Sequence, residues 1–169
     1  MDKQNYTLEE ISYSRKEDRR IMESVLNSWF QNPKTLNLVS PSLTYPFKFN
    51  DWIKKIYSNK QGKVISIVIR KNQWIIGHIS YHIEKNKYHI FHLFIKKEYR
   101  KLGLATKLIK KIENHCFMKK VNYISLKVVK KNKEAINLCT KLGYKQVGHD
   151  KLKNVRMEKY YSKKQLRTS

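Results

Sequence analysis

Between residues 64 and 118 the hydrophobic pattern changes its period once, from that of strands to that of a helix, and this change constrains the fold more than any other feature of the chain. The run "VISIVIRKNQWIIGHISYHIEKNKYHIFHLFIKK" is rich in Ile, Val, Tyr and Phe and is punctuated by the turn-forming "RKN" and "EKNK". It predicts three antiparallel strands over 64–70, 74–84 and 88–96. Directly afterwards Leu104, Leu108, Ile109 and Ile112 recur at helical spacing, so 104–118 reads as an amphipathic helix whose other face is lysine. A strand over 123–129, a helix over 133–142 and strands over 144–147 and 155–161 complete the pattern. One β-α-β crossover then lies within an otherwise antiparallel set. The expected class is α/β (α+β), a mixed, mostly antiparallel twisted sheet flanked by helices.

Upstream, 6–12 predicts a first strand, followed by a helix carrying Ile21, Val25, Leu26 and Trp29 from a Ser14 cap and stopping near Pro33. The stretch "PKTLNLVSPSLTYPFKFN" holds all three prolines of the chain and three aromatic residues, Tyr45, Phe47 and Phe49. It reads as a long binding loop, after which Asn50 is expected to cap a short helix. Residues 1–161 are expected to form a single domain, and 162–169 a basic, frayed tail.

The chain carries 37 Lys plus Arg against 13 Asp plus Glu, a net charge of +24. Such a surface attracts phosphates, although a lysine-rich, asparagine-rich composition also follows from coding bias alone. The amino terminus has no signal-peptide core, and the longest apolar runs are only strand-length. Two cysteines, Cys116 and Cys139, make neither a disulfide framework nor a metal-ligand cluster. These features predict a cytoplasmic protein without membrane or metal, either monomer or dimer.

The joint between the strand ending near Lys96 and the following helix reads "RKLGLAT", Arg100 to Thr106. A helix start presents unpaired N–H groups and a partial positive charge, where anions bind. Gly103 permits close approach and an unusual φ, Ala105 keeps the next approach open, Arg100 adds a guanidinium suited to phosphate, and Thr106 adds a hydroxyl. About thirty residues later comes "NKEAINLCTKLGY", Asn132 to Tyr144.

Together these two segments resemble the signatures of the GNAT superfamily of acyl-CoA-dependent N-acetyltransferases. The R/Q-x-x-G-x-G/A loop is matched by Arg100, Gly103 and Ala105, and the second signature by Asn132, Ala135, Ile136, Leu138, Lys141, Gly143 and Tyr144. The resemblance is strong over 64–144. It implies acetyl-CoA as cosubstrate, with its pyrophosphate on the N–H groups of Lys101, Leu102, Gly103, Leu104, Ala105 and Thr106. It also implies that the strands of 88–96 and 123–129 splay, so that the pantetheine arm pairs with the backbone of Leu93, Phe94 and Ile95. A backbone N–H there would stabilise the thioester oxygen. Asn132 is a helix cap, a contact to the cofactor arm, or both.

The implied reaction is direct attack of an amine on a thioester, which needs a base and a proton for the departing thiolate. The sequence departs from the family at both positions. Where many relatives have L-E-V, with Glu as base, this chain reads Leu126, Lys127, Val128, and a protonated Lys accepts no proton. His89 stands where histone-acetyltransferase relatives carry a Glu and is the candidate base, against the reading of an ordinary strand histidine. His92, three residues on, is expected on the opposite strand face. Cys139 replaces the usual acid Tyr and is either a short-reaching acid or a plain buried thiol; Tyr81, Tyr88, Tyr123 or water are substitutes.

The resemblance implies that the aromatic loop and the segment 149–156 correspond to the acceptor site, where Tyr45, Phe47 and Phe49 either line a groove for a peptide or, the more ordinary fate, pack against the core. Few carboxylates are present to hold a polycation, Asp150 and Glu158 being the late ones, so the expected acceptor is a protein or peptide amine, met beside RNA or the ribosome through the basic surface. The alternative, argued from Lys127 and Cys139, is a non-catalytic CoA-binding or nucleic-acid-binding module of the same fold.

Overall fold

The computed structural model describes residues 5–58 and 62–162. Apart from Ser162, the expected tail of 162–169 lies outside the described residues. Seven strands form one sheet in the order β1-β2-β3-β4-β5-β7-β6. They are β1 (Tyr6–Ile11), β2 (Lys63–Lys71), β3 (Trp74–Glu84), β4 (Lys87–Ile95), β5 (Tyr123–Val128), β6 (Lys145–His149) and β7 (Val155–Tyr160). Every pairing is antiparallel except β4 with β5. The expected single crossover is there, and α4 (Leu104–Met118) makes it.

Helices cover the sheet on both sides. On one face α4 and α5 (Lys133–Lys141) lie over Ile65, Ile67, Ile69, Ile76, Ile79, Tyr81, Ile90 and Leu126. The α4 stripe that buries there is Leu104, Leu108, Ile109, Ile112 and Cys116. On the other face α1 (Lys16–Trp29), α2 (Pro33–Val39) and α3 (Phe49–Asp51) pack Met22, Leu26, Trp29, Leu36 and Phe49 against Val68, Ile75 and Phe94. Being covered twice is why β2 to β4 read as nearly continuous apolar runs rather than clean alternation. Gly77 lies at a tight point between them, since a Cβ there would stand 2.5 Å from Ile95 Cδ1 and 2.7 Å from Ile69 Cγ2.

Three local expectations are corrected. The stretch from Pro33 is not all loop: Pro33–Val39 is helical, because Asn32 Oδ1 accepts the Thr35 N–H at 2.8 Å and Pro33 supplies a preset φ at the first position. The start of α1 is not capped by Ser14. Arg15 holds the cap position without a side-chain cap bond, and Asp18 reaches back to the Ser12 N–H at 2.8 Å. Nor does Asn50 cap: α3 begins at Phe49 after Lys48 and widens into a π-helical turn, Trp52–Tyr57, that turns Trp52 and Tyr57 inward. Phe47 and Phe49 join the core, while Tyr45 stays exposed with its hydroxyl on the Gln31 carbonyl.

Under the π-turn lies a buried polar chain. Tyr13 Oη is 3.1 Å from His78 Nε2, and Tyr57 Oη is 2.9 Å from Ser80 Oγ and 3.0 Å from His92 Nδ1. Ser66 Oγ meets Ser80 Oγ at 2.7 Å, and Ser40 Oγ meets His92 Nε2 at 3.0 Å. Burial pushes the His78 imidazole down to about 4, so it is neutral in the fold. An unfolded histidine titrates near 6.5, so between about pH 6.5 and 4 the unfolded chain binds more protons and stability falls with pH. Wild-type protein should therefore lose on the order of 3 kcal/mol relative to His78→Asn across that window, with no relative change above it, as measured by urea unfolding at stepped pH.

Candidate active site

The strand β4 carries the site because its alternation slips. Tyr88 and Ile90 face α4, and so do Leu93 and Ile95. The two intervening residues, Phe91 and His92, therefore share the opposite face, where both rings lie against Tyr57 at 5.8 and 5.7 Å. The slip is a bulge: the register with β3 jumps from Ser80↔Phe91 to His78↔Phe94, and His92 adopts a φ of 54°. This corrects the expectation for His92. It lies on the same face as His89, stacked on Trp52 at 3.9 Å, and is 6% exposed.

Beyond the bulge β4 loses its other neighbour. The parallel ladder joins only Tyr88↔Ile124, His89↔Ser125 and Ile90↔Leu126, after which β5 continues to Val128 paired to β7 alone. The two central strands thus splay as the resemblance implied. The Lys96 N–H donates to the Ile76 carbonyl at 2.9 Å, which fixes the parity of the strand: Phe94 turns its backbone to β3, while Leu93 and Ile95 turn theirs to the gap. Of the three residues expected on the gap, Leu93 and Ile95 reach it; Phe94 instead packs its ring on Trp29 at 4.7 Å.

The gap leads to the start of α4. A short turn, Lys97–Tyr99, is followed by Arg100, by Lys101 at φ 61° and by Gly103 at φ 74° in the cap position. No side chain caps the helix, and its first internal bond is Lys107 N–H to the Gly103 carbonyl at 3.0 Å. The N–H groups of Leu104, Ala105 and Thr106 thus have no partner one turn back. A Cβ on Gly103 would meet nothing within 4 Å, so the glycine serves the left-handed backbone and leaves the approach open. Leu102 is exposed beside it. Arg100 Nε donates to the Ile95 carbonyl at 3.0 Å and ties the loop to the strand, with its guanidinium 5.8 Å from the Phe94 ring. Unpaired N–H groups and an open approach are the features by which helix starts take anions.

On the α1 side of the sheet, where β5, β7 and β6 have no helix over them, a cleft of about 460 Å³ opens. His89, Tyr123, Ser125, Lys127, Asp150 and Glu158 line it. His89 Nδ1 lies 2.9 Å from Ser125 Oγ. Lys127 is 3.6 Å from Asp150, and Arg156, directly opposite it on β7, is 3.4 Å from Glu158. Burial raises the Asp150 carboxyl, but hydrogen bonds from Asn154 and Leu152, with Lys127 beside it, bring it below its ordinary value. Glu158 also accepts from Tyr123 Oη at 2.7 Å and Tyr160 Oη at 3.1 Å.

His89 and Lys127 are brought together; Cys139 is not among them. It is 2% exposed in the core beneath α4, where burial pushes its thiol up to about 12. Tyr81 and Tyr88 are in that same core, the former bonded to His115 Nδ1 at 2.6 Å, so of the three phenols considered only Tyr123 faces the cleft. Asn132 caps α5 through the Ala135 N–H at 3.2 Å. Sequence reasoning missed Ser125 and His78, whose places depend on cross-strand register and on the bulge. Among the described residues no group of His, Cys, Asp or Glu could hold a metal ion.

A family model described as "Acetyltransferase (GNAT) family" matches residues 24–144. Among solved structures, the PaiA N-acetyltransferase of Thermoplasma acidophilum, in complex with coenzyme A, is 19% identical with a TM-score of 0.70, covering 93% of this chain and 99% of its own. The ribosomal-protein-S18-alanine N-acetyltransferase of Escherichia coli is 14% identical at TM-score 0.68, covering 94% and 95%. The spermidine N-acetyltransferase of Vibrio cholerae, in complex with CoA and spermine, is 16% identical at TM-score 0.66, covering 95% and 97%. No protein of curated function matches the sequence significantly.

The buried thiols give a direct check on the site. Cys116, also pushed up to about 12 by burial, and Cys139 should both resist dithionitrobenzoate at pH 8 in the folded protein and react in guanidinium. Two equivalents released within seconds from native protein would contradict this environment.

Proposed function

The chain belongs to the acetyltransferase (GNAT) family and is an acetyl-CoA-dependent N-acetyltransferase, and from that premise we propose that its acceptor is a primary amine on a protein or peptide. The observation that carries the acceptor half of the reading is the cationic pair Lys127 and Arg156 in the cleft beside His89, and the one that carries the cofactor half is the end of the β4–β5 ladder at Ile90, which leads an open strand edge to the uncapped start of α4. Acetyl-CoA, when bound, supplies an activated thioester carbonyl. The Leu93 N–H would face the thioester oxygen, Ile95 would hold the arm through its backbone, and the N–H groups from Lys101 to Thr106 would hold the pyrophosphate. Arg100 would act chiefly by fixing this loop and adding positive charge.

His89 is proposed as the base. In the tautomer in which Nδ1–H donates to Ser125 Oγ, the basic nitrogen is Nε2, suited to take the ammonium proton directly or through water. Lys127 is assigned to the acceptor rather than to proton transfer. Cys139 holds its proton too tightly and too deeply to deliver it, so the departing thiolate draws its proton from water. Both cleft carboxylates already have cationic partners, and Lys127 and Arg156 form a like-charge pair across two strands. This supports an acceptor that brings a carboxylate near its amine, such as a peptide with acidic residues after its first. The +24 charge further supports salt-sensitive contact with RNA.

Calorimetric titration should show micromolar acetyl-CoA binding that Gly103→Glu abolishes and Arg100→Glu weakens at least tenfold. No binding by the parent protein would reject the reading and favour a nucleic-acid-binding module, for which retention of RNA at 200 mM salt is the measurement. With binding established, His89→Ala should lower kcat about 100-fold. An N-terminally acidic peptide should exceed spermidine in kcat/KM by tenfold or more, and the reverse order would reject the acceptor class.

A further inference from the structure

We propose that His78 is a positioning residue which fixes the peptide between His92 and Leu93 and so aims the Leu93 N–H into the gap beside β4; the inference rests on the cofactor reading above. A peptide group is planar, with its C=O and N–H pointing opposite ways. Whatever holds the His92 carbonyl therefore sets the direction of the Leu93 N–H. That carbonyl lies in the bulge, where the β3–β4 register jumps from Ser80↔Phe91 to His78↔Phe94. His78 Nδ1 stands 3.0 Å from it.

The chemistry of this contact is determinate. A carbonyl only accepts, so Nδ1 carries the ring proton and Nε2 is the acceptor, toward Tyr13 Oη at 3.1 Å. The neutral ring expected of so buried a histidine has one such proton. His92 is held from other directions as well. Its ring stacks on Trp52 and bonds to Tyr57 and Ser40, which come from the π-turn and the loop after α2. A left-handed φ at a non-glycine residue persists only when its surroundings over-determine it, and here β3, the π-turn and that loop all contribute.

The consequence is a preorganised donor. An N–H that stabilises charge on a thioester oxygen is effective when it is aimed before the charge develops. Without His78 the carbonyl would turn to find another donor, and the Leu93 N–H would turn with it. The pyrophosphate cradle, at the far end of the gap, does not depend on this peptide.

The test separates the thioester from the rest of the cofactor. Dissociation constants for acetyl-CoA and CoA are measured by calorimetry on wild-type protein, on His78→Phe, which removes the donor, and on His78→Asn, which retains an N–H near the Nδ1 position. The ratio of the CoA constant to the acetyl-CoA constant should fall about fivefold in His78→Phe and stay within twofold of wild type in His78→Asn, while CoA affinity itself is unchanged. An unchanged ratio in His78→Phe would overturn the proposal. Failure of wild-type protein to bind CoA at all would instead remove the cofactor reading. Should His78→Phe not fold, the Leu93 amide of 15N-labelled wild-type protein decides: its proton should shift downfield with acetyl-CoA and not with CoA, and equal shifts would overturn the proposal.

Discussion

The parallel ladder between β4 and β5 stops after three residue pairs, and the rest of the architecture accommodates that break. Backbone groups left unpaired inside a protein are costly, so a sheet does not open at its centre unless other donors and acceptors take over. Here they are specific. Arg100 Nε satisfies the Ile95 carbonyl on the gap side of β4, while β5 is held along its far edge by a full antiparallel neighbour in β7. The bulge opposite Ser80 adds local twist and turns β4 away from β5. The gap is thus accompanied by one side chain from the loop before α4, Arg100, and by one misfit in register between β3 and β4.

The same break divides the sheet into two kinds of surface. Strands β1 to β4 are covered on both faces and bury Ile, Val and aromatic side chains. Strand β6 is exposed along its length, and the α1 face of β5 and β7 carries Ser125, Lys127, Arg156 and Glu158. A buried apolar face and an open polar face meet along the gap, where a long cofactor with an amide-bearing arm and an anionic end would find backbone partners for the one and the α4 terminus for the other. The α4 terminus contributes the positive end without any lysine being aimed, since its N–H groups are fixed by the helix itself.

Much of this was legible from residue type and spacing. The strand runs over 64–96, the α4 stripe from Leu104 to Ile112 and the single crossover follow from periodicity strong enough to survive any context. Gly103 was legible because a left-handed cap before a helix needs glycine. The failures share a cause. Asn32 and Pro33 form a helix start, but the weight of three prolines in one stretch obscured it. At His92 no glycine or proline marks the bulge, so simple alternation put that ring on the wrong face. Lys127 and Cys139 were visible as departures, whereas the core around the thiol and the Asp150 carboxylate beside the lysine are matters of tertiary contact.

The two halves of the site also differ in stiffness, and the difference follows from burial. The His78, Tyr57 and His92 chain is largely buried and each member constrains the next, which favours a geometry set before a ligand arrives. The Lys127 and Arg156 pairs are about half exposed, at 49% and 48% for the cations. Exposed ion pairs are held by only fractions of a kcal/mol, about 0.2 to 1, and exchange partners readily. A donor facing a developing charge gains from rigidity, because reorganising it during the reaction would cost part of what it stabilises. A surface that selects a charged acceptor gains from partners that can be displaced by an incoming carboxylate. The fold assigns rigidity to β3 and β4, which helices enclose, and adaptability to β5 and β7, which they leave open on the cleft side.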